Sequence, residues 1–359
     1  MTGAASAAKG DRAVFTAGGV PYSTRDIIDA AHFRGELEPC WRKVLLQEAA
    51  EAKGRASGAE ADDASLNSAA IAFRYKYDLI TAEETEKWLE ARALTLTDFS
   101  EYFARAFWEK TFGGRVTSPA REYATASAEE RELLLEELTF SGELDRMATR
   151  LTWRVVARAA KEAAEVPSEF QQAEAERFRT RAGDVQAWLA GLGREPAWLE
   201  EQVAMEAAFR HRCQRLLTPE RCERELGPLR LPLTRFEVET MELDSRSAAN
   251  EAFLCVRDDE VSMEEVAQEG RYPYRRRELV LEEIDPSVQQ KYLSSTAGTI
   301  MEPTQRGDGF QLARLLGKRE PKLEDPDVRK RIEQRLLNRH FADLTSGRIQ
   351  WESLPMVDV

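Results

Sequence analysis

The residue types that most often carry chemistry are few in this chain, and their spacing fits no familiar reaction. Neither the cysteines nor the histidines form a C-x-x-C pair or another zinc ligand pattern. They are Cys40, Cys213, Cys222, Cys255, His32, His211 and His340. No glycine-rich phosphate loop and no nucleophile triad is present either. We therefore expect no metal and no cofactor, and we interpret the histidines as solvated or helix-capping residues.

Composition and charge exclude several classes of partner. The chain has 359 residues, of which 42% are apolar, so it can bury two or three cores. Its formal net charge of −13 argues against binding to nucleic acid. No stretch is long and apolar enough for a membrane span, and residues 1–12 are polar and predicted to be disordered. We expect a cytoplasmic protein, in which a disulfide between Cys213 and Cys222, although geometrically conceivable, is disfavoured.

The first two thirds of the chain have helical periodicity and contain a repeated pattern. We predict one helical unit at 13–117 and a second at 118–226. The sequence FSGEL at 140–144 matches FRGEL at 33–37, and the matches continue with offsets that shrink from 107 to 100 residues. The further pairs are Phe73-Arg74 with Phe178-Arg179 and Trp88-Leu89 with Trp188-Leu189. Either the unit is duplicated with a shortened loop, or common helical residues match by chance.

The composition changes at Gly227, and residues 227–318 predict a separate α+β module. Strands are predicted at 235–243, 278–284, 299–302 and 310–316. Helices are predicted after a cap at Asp244 or Ser245, after Ser262 and after Ser287. Such an order favours an antiparallel sheet. Residues 319–359 predict a final amphipathic helix with a tail, so the whole chain is α+β and mostly α.

The last part of this module resembles a known family. An apolar helix, the sequence A-G-x-I-x-x-P at 297–303 and the sequence G-D-G-F-Q-L-x-R-L-L at 307–316 are similar to the end of a parvulin-type (PpiC-related) peptidyl-prolyl isomerase domain, as in the SurA and PrsA chaperones. The helical part is similar, more weakly, to the SurA N-terminal domain. The resemblance implies that the C-terminal helix packs back on the helical part.

The resemblance also implies a peptide groove in which the catalytic rim has changed. The two histidines of the family's rim correspond to Thr240 and Gln311 here, which suggests weak or absent isomerase activity. Ile284 and Val288 correspond to the apolar residues that bracket the prolyl ring. We assign Leu281 and Phe310 to the same groove. The basic run Arg275, Arg276 and Arg277 either protects an edge strand or anchors an acidic peptide.

Three functions remain open on the sequence. The first is a peptide-binding chaperone or adaptor with a degenerate parvulin-like domain, similar to cytoplasmic relatives that mature ribosomally made peptides. Its partners would be an unfolded or precursor peptide and a peptide-modifying enzyme, with no nucleic acid and no membrane. The second is an active prolyl isomerase, and the third is a structural partner without a groove.

Overall fold

The computed structural model describes residues 11–160, 165–259 and 261–352. The fold is α+β and mostly α, as the sequence predicts. The chain divides into two compact units, of which the first runs to Arg215 and resumes at Asn338, while the second comprises Leu216–Leu337. Most of the predicted disordered leader lies outside the described residues. In the described ranges, no helix has the length and apolar composition needed to cross a lipid bilayer.

The first unit is a set of helices with a small sheet. Its elements are β1 (Ala13–Ala17), β2 (Val20–Ser23), α1 (Thr24–Arg34), α2 (Glu38–Ala56), α3 (Asp63–Lys76), α4 (Ala82–Glu90), α5 (Leu96–Phe112), α6 (Ala128–Ser141), α7 (Glu143–Ala159), α8 (Ser168–Ala182), α9 (Val185–Leu192) and α10 (Pro196–Leu216).

The second unit contains α11 (Pro219–Leu229), β3 (Arg235–Leu243), α12 (Arg246–Asp258), α13 (Met263–Gly270), β4 (Tyr274–Val280), α14 (Pro286–Ser294), β5 (Ile300–Arg306) and β6 (Gly309–Arg319). Helix α15 (Pro326–Thr345) begins in the second unit and ends in the first, where β7 (Ile349–Trp351) pairs with β1.

Local sequence sets many of the helix boundaries. Thr81 and Ser262 begin α4 and α13 through capping boxes, in which the side chain of a glutamate three residues later closes the cap. Gly35 and Gly142, in the two matching F-x-G-E-L segments, end α1 and α6 in left-handed conformations, with φ of 76° and 79°. Glycine adopts this conformation without a Cβ clash, so both segments make the same helix ending.

The two glycines end the first helices of two similar successions of five helices. The first succession is α1–α5 and the second is α6–α10. Phe73 on α3 corresponds to Phe178 on α8, and Trp88 on α4 corresponds to Trp188 on α9. The matching residues therefore occupy equivalent places in two successions of helices.

Aromatic side chains from each succession pack on aromatic side chains of the other. Phe33, at the end of α1, packs on Phe178 with ring centroids 5.0 Å apart. Phe140, at the end of α6, packs on Trp88 at 5.7 Å and on Phe73 at 5.9 Å. Each succession thus completes the core of the other, which is why residues 13–117 and most of 118–226 lie in a single compact unit.

The boundary of the second unit lies earlier than the composition predicts. Cys222 and Leu226 of α11 are buried with Leu233 and with Ile332 and Leu336 of α15. Because these apolar side chains share one core, α11 belongs to the second unit, and the chain divides near Leu216 instead of Gly227.

Helix α15 has two packing environments along its length. Its first part contributes to the core just described, which the resemblance does not imply. Its end packs on the helical unit, as expected, because the Phe341 ring stacks on Trp153 at 5.0 Å and lies 5.3 Å from Phe209. Only the second part of the helix therefore belongs to the helical unit.

His32 is not a solvated or capping histidine, and that interpretation is wrong. Its ring stacks on Trp188 at 5.0 Å and meets Tyr123 edge-on at 5.2 Å. Burial, together with a smaller contribution from the nearby cations Arg181 and Arg131, lowers the pKa of His32 to about 4. The histidine is neutral near pH 7 and serves as an aromatic core residue.

We predict that His32 makes the protein less stable in mild acid. The unfolded chain binds a proton at His32 near pH 6.5, whereas the folded protein binds it only near pH 4. The unfolding free energy should therefore fall as the pH falls from 6.5 towards 4, by roughly 1–3 kcal/mol from this group. Chemical unfolding at several pH values, comparing the wild type with His32→Phe, isolates the effect from the carboxylates. Parallel pH curves for the two proteins would contradict the prediction.

Candidate functional site

The second unit is built on a four-stranded antiparallel sheet in the order β4-β3-β6-β5. The order of strands and helices in this unit is the one that the sequence predicts. Strand β4 is misplaced in the prediction, because it spans Tyr274–Val280 instead of 278–284. Within this strand, Arg276 pairs with Glu237 of β3 at 2.6 Å, and the residues after the strand, Leu281–Glu283, form a single 3-10 turn.

The two faces of this sheet have different surroundings. Alternate residues of a strand point to opposite faces. Met241, Leu243 and Leu312 form one core with α12 and α13, which cover that face. Phe236 and Leu315 lie on the other face, where the ring of Tyr292 from α14 meets Phe236 at 5.5 Å. Among the described helices, the short helix α14 is the one that contributes to the core on this second face.

A groove of about 640 Å³ lies between this second face and α14. Its apolar lining comprises Leu279, Ile284, Val288, Tyr292, Met301 and Ala313. Its charged lining comprises Arg277, Lys291, Arg306, Glu283, Asp285 and Glu302. Neutral polar side chains, Ser287, Thr304, Gln305 and Gln311, complete it. The groove thus has an apolar floor and a polar rim.

Four of the predicted site residues come together in this groove. Ile284 and Val288 lie at its α14 side, Gln311 lies on β6, and Arg277 lies on β4. The side chain of Ile284 is 7% exposed and that of Gln311 is 9% exposed, so both belong to the floor more than to the rim.

The remaining predicted residues lie elsewhere. Phe310 is on the opposite face, against the core of α12 and α13, because it is one residue out of phase with Gln311. Its assignment to the groove is wrong. Leu281 is buried in the core with Phe236 and does not line the groove. Arg276 pairs with Glu237 on the Phe310 side of the sheet, and Arg275 is exposed outside the lining.

Thr240 is on the groove face but is sealed from the groove. It is directly opposite Ala313 in the β3–β6 register and Arg275 in the β3–β4 register. It is only 3% exposed, and its hydroxyl donates to the Arg275 carbonyl at 3.4 Å. A side chain in this position supports the sheet and does not reach a bound peptide.

Several residues that line the groove were not predicted, although the periodicity of their strand or helix places them on its surface. Ala313 follows Gln311 by two residues on a strand, and Tyr292 follows Val288 by four residues on a helix, so each pair shares a face. Met301 pairs with Ala313 in the β5–β6 register. Arg306 follows from none of these patterns, because its place depends on the turn between β5 and β6.

Arginine side chains set the electrostatics of the groove. Arg306 donates a hydrogen bond to the side-chain oxygen of Gln311 at 3.1 Å, which fixes the orientation of this amide. Burial raises the pKa of Tyr292, and the charges of Arg277 and Arg306 partly oppose that increase. Tyr292 therefore stays a neutral hydrogen-bonding phenol at the floor.

This arrangement is suited to binding and contains no obvious reacting group. An apolar floor accepts an apolar side chain, and the amide of Gln311 can hydrogen-bond to peptide backbone. No histidine or cysteine lines the groove, and across the described residues no cluster of His, Cys, Asp or Glu could hold a metal ion.

Comparisons with known proteins give partial similarities. No family model matches the chain, and no curated protein matches it. Among solved structures, it is similar to the peptidylprolyl isomerase PrsA from Bacillus cereus, with 15% identity, 61% of this chain and 85% of that chain covered, and a TM-score of 0.33. It is also similar to the peptidylprolyl isomerase PrsA from Bacillus anthracis, with 15% identity, 55% of this chain and 94% of that chain covered, and a TM-score of 0.26.

A similar match is one of two structurally related SurA-like chaperones from Campylobacter jejuni, with 9% identity, 59% of this chain and 87% of that chain covered, and a TM-score of 0.20. The names of these neighbours, PrsA and SurA-like, are those of the chaperones that the sequence resembles.

We predict that the Phe236 ring is a main support of the groove floor. It is fully buried against Tyr292, so Phe236→Ala should destabilise the second unit by about 3–5 kcal/mol. Leu254→Ala is the control, because Leu254 is 46% exposed and its truncation should cost less than about 0.5 kcal/mol.

Hydrogen exchange of fragments from 235–319 is the appropriate measurement, because all seven tryptophans lie outside residues 216–337 and their fluorescence reports on the other unit. Equal exchange rates in the two variants would show that the ring does not support the floor.

Proposed function

We propose that this protein is a peptide-binding chaperone or adaptor whose second unit holds an extended peptide in the groove under α14. The observation that carries the proposal is the groove itself, which combines an apolar floor at Ile284, Val288 and Met301 with a hydrogen-bonding side chain at Gln311. Apolar clefts with a few placed polar groups are typical peptide and ligand sites.

The parvulin-like module is degenerate in this proposal. A prolyl isomerase has to favour the twisted amide over the planar one, which requires polar groups placed against the turning carbonyl. Threonine and glutamine carry no group that titrates near neutral pH. Thr240 is moreover sealed within the sheet, and the side-chain oxygen of Gln311 already accepts a hydrogen bond from Arg306. Such a groove favours holding a peptide over turning its bonds.

Active isomerisation is the alternative function. It is the activity for which the Bacillus cereus peptidylprolyl isomerase PrsA is named. One observation favours it here, because the Gln311 amide and the Arg277 guanidinium both line the groove and can donate hydrogen bonds to a carbonyl.

The client in this proposal is a precursor peptide during the maturation of a ribosomally made peptide, with a peptide-modifying enzyme as a further partner. The cytoplasm is the proposed compartment. Free thiols at Cys40, Cys213, Cys222 and Cys255 support it, because such compartments keep thiols reduced. Cell fractionation and co-purification from the native host, followed by identification of the bound peptide, test these points.

We predict that a charge on the groove floor abolishes peptide binding. Val288→Asp places a carboxylate beside Ile284 and Tyr292, and the affinity for fluorescent unfolded peptides should fall by at least about tenfold. Fluorescence anisotropy with the full chain measures this affinity. Leu254→Asp is the matched control, because it introduces the same charge at an exposed leucine on α12 and should bind normally. Equal binding by both variants would place the peptide outside the groove.

We also predict little or no isomerase activity. In a protease-coupled assay of a proline-containing peptide, the rate with the full chain should equal the uncatalysed rate. A rate above background that disappears in Gln311→Ala would support the isomerase and contradict the holding function.

A further inference from the structure

Arg277 differs from the two arginines before it. Arg276 is neutralised by Glu237 at 2.6 Å, and Arg275 is exposed outside the groove. Arg277 is half-buried and lines the groove. Its Nε atom is shielded from solvent, and no group within the described ranges accepts a hydrogen bond from it or forms an ion pair with the side chain.

The neighbours of Arg277 explain why it lacks a partner. Arg277 pairs with Val238 across the β3–β4 register, and Val238 pairs in turn with Leu315 on β6. Neither of these neighbours has a polar side chain. The nearby Tyr292 feels its charge but does not neutralise it. A guanidinium that is partly removed from water without a replacement partner costs free energy, which a bound acceptor would recover.

The other charged groups of the groove are more fully occupied. Arg306 donates to Gln311 at 3.1 Å, and Asp285 caps α14 by accepting from the Ser287 amide at 2.9 Å. Glu283, Glu302 and Lys291 also line the groove and are exposed to solvent. The group in this groove that is both shielded and unsatisfied is therefore a cation, so the complementary ligand group is an anion.

We propose that the groove selects peptides that carry an aspartate or glutamate beside an apolar residue, and that Arg277 is the specificity-determining residue. The carboxylate binds the guanidinium while the apolar side chain lies on Ile284, Val288 and Met301. Arginine suits this role because its planar fork pairs with a carboxylate through two parallel hydrogen bonds. This inference rests on the proposed peptide-binding function and adds the chemistry of the client.

A peptide series tests the preference directly. Each member carries one central apolar residue and one glutamate that is moved along the peptide, and each has a partner in which glutamine replaces the glutamate. Anisotropy with the full chain should show one register at which the glutamate peptide binds at least about tenfold more tightly, with a preference that decreases as salt is added.

Two variants separate Arg277 from the general charge of the strand. Arg277→Gln should remove the preference, so that this variant binds the glutamate and glutamine peptides with equal affinity, without a lower thermal midpoint. Arg276→Gln is the matched control, because it removes the neighbouring charge from the opposite face of the sheet, and it should keep the preference.

The outcomes distinguish this inference from the proposed function. If wild-type protein binds the glutamate and glutamine peptides equally at every register, the acid preference is wrong and peptide binding stands. If it binds neither, the proposed function itself fails. If Arg276→Gln removes the preference as fully as Arg277→Gln, the effect is a general surface charge and Arg277 is not its determinant.

Discussion

The antiparallel register of β3 and β6 is the constraint on which the second unit depends. It pairs Thr240 with Ala313 and Val238 with Leu315. Paired residues therefore point to the same face of the sheet, either the helix-covered face, which packs on α12 and α13, or the groove face. The helix-covered face has two helices and a continuous apolar core. The other face carries the short helix α14, and the groove lies between this helix and the sheet.

The same register decides the fate of each substituted position. Thr240 and Gln311 lie on the same face of neighbouring strands, but they differ in surroundings. Thr240 is closed in by the sheet and bonds to a backbone carbonyl, whereas Gln311 lies at the groove and is oriented by an arginine. Two positions that the family resemblance treats as equivalent therefore have different roles, one structural and one at the binding surface.

The helical unit depends on a different kind of constraint, which is reciprocal packing. Phe33 of the first succession packs on Phe178 of the second, and Phe140 of the second packs on Trp88 of the first. Neither succession of helices therefore has a full core by itself. The sequence alone predicts the matches between the two halves and the order of elements in the second unit. It does not predict the reciprocal packing, because a periodic pattern shows which face of a helix is apolar and does not show which partner covers that face.

The sequence by itself determined the elements, through signals that act within a few residues. Capping boxes at Thr81 and Ser262 set the starts of two helices, Gly35 sets the end of another, and alternation predicts the strands, although β4 begins four residues before its predicted start. Only the tertiary structure decided that Arg277 is shielded without a partner. Burial and pairing are properties of residues far apart in sequence, brought together by strand register and helix packing, so no local pattern can specify them.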